Sequence, residues 1–204
     1  MKFREMLLKS VVALMFLVAF SCPAFAAEPN SKDIISKSDY EIGFLAGYGW
    51  AMDHLPQEPR IEHAVFMPSF SIPLTRNEVG HSFYRGIVQY QLEPVIGIIT
   101  VPNGKAEYGL SFAGFKYNFT ALESPRWSPY SNFGFGVIYE PIGHHVQGTN
   151  FNFILQTGIG VQYFLDEKHA LNFQYRYRHI SNATIKLPNS SINSSFVLVG
   201  YSFF

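Results

Sequence analysis

From Tyr40 onward the chain alternates apolar and polar residues with a period of two, the signature of extended strands whose successive side chains point to opposite sides. Ile42, Phe44, Ala46, Tyr48 and Trp50 share one face, against Glu41, Gly43, Gly47 and Gly49. After a Pro-bearing charged loop, Asp53 to Arg60, a second strand is expected from about Ile61 to Leu74, weakened by Pro68 and Pro73. In the third, Tyr84, Val88, Tyr90, Leu92, Ile96 and Ile98 oppose Arg85, Gln89, Gln91 and Glu93. Pro102-Asn103-Gly104 is a turn signal, and a fourth strand follows from about Ala106 to Phe119, its phase becoming mixed near Lys116. Glu123 to Pro129 reads as a connection and Ser131 to Glu140 as a fifth strand. Phe151 to Tyr163 is the sixth, and Asp166-Glu167-Lys168 is a tight charged turn.

The seventh strand, Leu171 to Asn182, is the most regular. Leu171, Phe173, Tyr175 and Tyr177 lie on one face, and Asn172, Gln174, Arg176 and Arg178 on the other. An eighth runs from about Ile192 to Phe204 after Leu187-Pro188-Asn189-Ser190. Before the strands, only Lys32 to Ser38 suggests a short helical turn.

Eight such strands predict an all-β protein, an eight-stranded antiparallel transmembrane β-barrel. Composition supports lipid as the outer solvent. Aromatic residues make up 17% of the chain and charged residues only 15%, yet glycine and glutamine recur on the face opposite the aromatic rows. A lipocalin-like soluble barrel, with the apolar rows turned inward, is the alternative that alternation leaves open. The final aromatic, Phe204, agrees with an outer-membrane barrel.

The start of the chain supplies an address. Lys2, Arg4 and Lys9, an apolar core from Val11 to Phe20 and Ala24-Phe25-Ala26 form a secretory signal pattern, expected to end after Ala26. The core is short for a membrane helix. Cys22 raises the rival of a lipoprotein signal, but Ala19-Phe20-Ser21 fits the required preceding triplet poorly. Residues 1–26 are thus read as signal peptide and 27–204 as the barrel domain, which would contain no cysteine. Net charge is zero, which gives no general field for nucleic acid.

Two steps along the apolar face of the seventh strand come His179 and Ser181. A base beside a hydroxyl is the minimum for a serine nucleophile, which stays weak until its proton is taken. On a lipid-facing row such polar groups are costly unless they act there, so the expected substrate resides in the membrane. Gly143-His144-His145 has no acid beside it and is read as a solvated loop, not a metal site. Arg85, Glu93, Glu107, Glu140, Arg176 and Arg178 are expected to form lumen hydrogen bonds and ion pairs.

Tyr177-Arg-His-Ile-Ser-Asn-Ala183, followed by Pro188-Asn189 and a final aromatic strand, resembles the C-terminal region of the lipid A 3-O-deacylase (PagL) family. That resemblance implies a bacterial outer-membrane esterase which hydrolyses the 3-linked acyl ester of lipid A in lipopolysaccharide without a cofactor. It implies Ser181 as nucleophile, His179 as general base, and Asn182 and Asn189 in the oxyanion region. The family's acid position falls at or near Asn193, and no Asp or Glu occurs after Glu167. An asparagine orients an imidazole without stabilising its charge, so the resemblance carries a reduced activity with it. Thr184 stands where the family often has glycine. A catalytically silent structural or lipid-binding barrel is the alternative function. The expected partners are lipid A and the bilayer; a homodimer is compatible with the pattern and not required by it.

Overall fold

The computed structural model describes residues 29–52, 60–122, 124–143 and 145–204. The signal segment, most of the loop after Trp50, and His144 lie outside them. The strands are β1 (Glu41–Ala51), β2 (Glu62–Pro73), β3 (Gly86–Val101), β4 (Lys105–Phe119), β5 (Trp127–Tyr139), β6 (Phe151–Phe164), β7 (His169–Ser181) and β8 (Ile192–Phe203). Each pairs antiparallel with its sequence neighbours, and β1 pairs with β8, so the sheet closes into a barrel. Closure removes both sheet edges, which is what lets strands cross lipid with every backbone group paired.

The apolar rows face outward. Phe44, Phe66, Phe70, Ile96, Ile98, Phe133, Phe173 and Tyr175 are exposed on the wall, while Glu41, Gln89, Gln91, Glu93, Lys116, Gln162, Arg176 and Arg178 are buried inside. Lumen charges are paired. Lys116 Nζ lies 2.8 Å from both Glu41 carboxylate oxygens, and Arg176 donates to both oxygens of Glu93. This arrangement excludes the soluble alternative with its rows turned inward.

A β-bulge explains the mixed phase of β4. The register against β3 shifts between Gln91 and Glu93, and against β5 between Ser111 and Ala113. Phe112 is the extra residue. Before it, Tyr108 and Leu110 face out; after it, Phe115 does, and Lys116 and Asn118 turn inward. One inserted residue flips every later side chain to the other face. Chains approach closely here: a Cβ on Gly136 would lie 1.8 Å from the Leu110 carbonyl oxygen.

Two boundaries differ from expectation. β5 begins at Trp127 and includes Pro129, which pairs with Val161 of β6. The β4–β5 ladder runs only as far as Tyr130, so the proline's missing N–H costs no bond on that side. Tyr84 belongs to a short 3₁₀ turn, Ser82–Tyr84, and not to β3.

The helix α1 (Ser31–Lys37) sits at the barrel end where β1 begins and β8 finishes. Asn30 caps it by accepting from the Asp33 amide at 3.2 Å, and Ile34 and Ile35 pack with Ile87, Phe164 and Ala170. The opposite end carries the β5–β6 and β7–β8 loops. They are stitched together by Gly148 N to Pro188 O at 2.6 Å, Ser190 N to Val146 O at 3.1 Å and Gln147 Nε2 to Ser190 O at 2.7 Å.

Candidate active site

The far end of β7 presents Tyr177, His179 and Ser181 outward in a row. Antiparallel register puts His179 directly opposite Asn193 of β8 and Leu155 of β6, and Ser181 opposite Phe153. Facing residues in such a ladder have Cβ atoms about 4.5–5.5 Å apart, close enough for short polar side chains to meet. His179 Nδ1 lies 2.8 Å from Asn193 Oδ1. The Tyr177 hydroxyl donates to the same oxygen at 2.5 Å. A carbonyl oxygen only accepts, so Nδ1 carries the imidazole proton, and Nε2 keeps the lone pair that takes a proton from a nucleophile. The backbone of Asn193 is held in turn, its carbonyl accepting from Met52 N at 2.7 Å.

Ser181 closes β7 and is half-buried. Among the described residues no hydrogen bond joins its hydroxyl to His179; such contacts commonly tighten only when substrate is present. The structure therefore brings His179 and Asn193 together, and places Ser181 two positions along the same outer face.

Asn182 lies past the strand, fully buried. Its backbone N–H donates to Asn189 Oδ1 at 2.9 Å, and its side-chain amide donates to Lys186 O at 2.7 Å and Pro188 O at 3.3 Å. Both its donors are engaged in tying the β7–β8 loop. Between those ties the chain turns through two left-handed residues, Ala183 at φ 51° and Thr184 at φ 61°. A β-branched residue there is strained, and the asparagine clamp on either side is what holds it. The loop tip exposes Ile185 and Leu187, three-quarters accessible, beside the lysine Lys186.

Tyr177 is a site residue that sequence reasoning missed. It carried a signal, since it shares the face of His179 two positions away, but its ring counted there only as part of the apolar row. The site is an open patch of outer wall. A cleft of about 240 Å³, between α1, Phe119 and Trp127, lies at the opposite end.

A closed eight-stranded antiparallel barrel with an aromatic outer wall and an ion-paired interior is an outer-membrane β-barrel. The family model of lipid A 3-O-deacylase (PagL) matches residues 78–202, and the chain belongs to that family. Among solved structures, it is similar to the outer membrane enzyme PagL, at 18% identity and a TM-score of 0.51, covering 78% of this chain and 97% of that one. It is similar also to Neisserial surface protein A, at 16% identity and a TM-score of 0.53, covering 81% and 97%. No curated protein gives a significant sequence match.

Proposed function

We propose that this barrel is an esterase that removes the 3-O-linked acyl chain of lipid A, with Ser181 as nucleophile, His179 as general base and Asn193 as the group that orients the imidazole. The observation carrying this reading is the His179–Asn193 hydrogen bond on the lipid-facing wall, two residues from a hydroxyl. His179 Nε2 takes the Ser181 proton as Oγ attacks the acyl carbonyl carbon. The tetrahedral intermediate collapses, and the imidazolium returns that proton to the departing sugar oxygen. Water, activated by the same imidazole, then hydrolyses the acyl-serine and releases the fatty acid.

The charge that builds on the carbonyl oxygen needs preorganised donors. Asn182 and Asn189 serve this step by shaping the loop that follows the nucleophile. With the donors of Asn182 spent on that loop, the free backbone amides of its left-handed turn and the Asn189 side-chain amide are the donors left to face the oxyanion. Exposed Ile185 and Leu187 suit contact with acyl chains, and Lys186 suits a nearby lipid phosphate. The chemistry calls for no cofactor.

The test is lipid A mass from outer membranes with and without the protein. Loss of one hydroxyacyl chain that disappears with Ser181→Ala supports the esterase. An unchanged profile from a well-folded barrel would instead assign a silent structural or lipid-binding role.

A further inference from the structure

Behind the candidate site, on the lumen side of β7, four charged or titratable groups meet in complete burial: His63 of β2, Glu107 of β4, Glu140 just past β5, and Arg178 of β7. One ligand-capable atom from each of His63, Glu107 and Glu140 lies within 4.8 Å of the others. His63 Nδ1 is 3.0 Å from Glu107 Oε2 and also 3.0 Å from Arg178 Nη2. Glu107 only accepts and Arg178 only donates, so Nδ1 has a partner in either tautomer; the metal-binding form is the one with its proton directed to Glu107. Arg178 then turns its hydrogens to Glu107, at 3.0 Å from Nη1 to Oε1 and 3.3 Å from Nη2 to Oε2.

That tautomer leaves His63 Nε2 as a bare lone pair. It faces Glu140 Oε1 across 3.9 Å, too far for a hydrogen bond. Nε2 and both Glu140 oxygens are buried without a hydrogen-bond partner among the described residues. Arg178 stands 4.0 Å from Glu140 and is already engaged by Glu107. With the guanidinium committed to Glu107, the Glu140 carboxylate has no partner of its own among the described residues of this dry interior. Two electron-pair donors converging there are unfavourable unless a cation lies between them.

We propose that His63 Nε2 and the Glu140 carboxylate bind a divalent transition-metal ion in the barrel lumen. Bonds of about 2.0–2.2 Å to nitrogen and oxygen span the observed separation at a wide angle. Glu107 acts on the far ring nitrogen, in the carboxylate–histidine–metal arrangement that fixes the ligating tautomer. A mixed imidazole and carboxylate set selects zinc, manganese or cobalt over calcium and magnesium. Asn152, whose amide is also buried and unpartnered among the described residues, is the register partner of Ile138, two residues before Glu140 on the same lumen face. The bound ion joins β2 to the end of β5. Through Glu107 and Arg178 it also braces the strand whose other face carries His179.

The full-length mature barrel, folded in detergent and stripped with a chelator, is dialysed against zinc or cobalt, and metal content is measured by plasma mass spectrometry. Stoichiometric binding is expected, with a thermal midpoint that rises with metal concentration. Glu140→Gln and His63→Gln should abolish it, and Glu107→Gln should weaken affinity about 10- to 100-fold. Absence of stoichiometric binding to the wild-type barrel overturns the proposal, as does binding retained by Glu140→Gln. Binding lost when His144 and His145 are both changed to alanine would move the ion to the loop and overturn it too. Where a variant fails the heat-modifiability test for folding, the imidazole nitrogen-15 resonances of the wild type decide. A metal-induced shift at the Nε2 of a histidine whose Nδ1 stays protonated supports the site, and its absence refutes it.

Discussion

The two faces of β7 differ in almost every physical respect although they share one backbone. Inward, Arg176 and Arg178 are about 1% exposed and each is bound to a carboxylate, Glu93 or Glu107. Outward, Tyr177, His179 and Ser181 are half-buried and open to lipid. The inner face holds the strand rigid, and under the proposed function the outer face uses that rigidity to position its base and hydroxyl. Positioning a base and a hydroxyl to a fraction of an ångström requires a support whose own side chains cannot move. In a barrel this narrow the support is the lumen itself. Changes on the outer face should therefore alter rate without stability, and changes on the inner face should do the reverse.

The sharpest break of that contrast is His179→Ala. Loss of the base should lower deacylation by roughly 10³- to 10⁶-fold, as removal of a member from a catalytic unit does. The variant should still fold, because His179 contributes one hydrogen bond on an outer wall. Lipid A mass, read beside the heat-modifiable gel mobility of the same barrel, checks both halves. Unfolding of this variant would mean that the two faces do not divide the labour as described.

Arg178→Ala is the complementary experiment. It leaves Glu107 charged, buried and short of its main partner, which should cost about 3–5 kcal/mol of stability. Urea unfolding in detergent or lipid vesicles measures this. The rate per folded molecule should fall much less than for His179→Ala, since Arg178 touches nothing on the outer wall.

These contrasts also mark what could be read from residues alone. Alternation placed all eight strands and set both arginines opposite the tyrosine row, because a period of two is written directly in the sequence. The bulge at Phe112 was visible only as a loss of phase near Lys116, since one extra residue has no composition of its own. Pro129 misled because its cost depends on whether a partner strand reaches that far, which is a property of the neighbouring ladder. The His179–Asn193 contact depends on the register of β7 against β8. The family pattern supplied that position, while the spacing of residues did not. The convergence of His63, Glu107 and Glu140 draws on three separate segments, so no local motif announces it.

A smaller effect is expected from Asn193→Asp. It keeps the acceptor at Nδ1 and adds the negative charge that stabilises an imidazolium. Activity should rise about tenfold or more, within the ~10⁴-fold span seen when the reverse change is made in a serine-protease triad. Asn193→Ala should lower activity. No change in either variant would remove Asn193 from the site, and the outer face would then have no orienting group.

Tyr177→Phe asks how finely the outer face is tuned. The hydroxyl and His179 both donate to Asn193 Oδ1, so the amide is fixed from two directions. Deleting the hydroxyl removes one bond worth roughly 0.5–1.5 kcal/mol and leaves the aromatic ring in the wall. Asn193 then gains freedom to rotate, and the imidazole it orients gains the same freedom. The expected result is a two- to tenfold fall in deacylation rate, about the fold-change that bond energy converts to. Affinity for the lipid should be unchanged, because the ring still faces it. Pairing the change with Asn193→Asp supplies the deciding measurement. If Tyr177 works through residue 193, the double variant departs from the product of the single effects, because an aspartate bound tightly to the imidazolium depends less on a second anchor. Independent, multiplicative effects would show that Tyr177 acts by packing alone and that the oriented part of the outer face ends at His179 and Asn193.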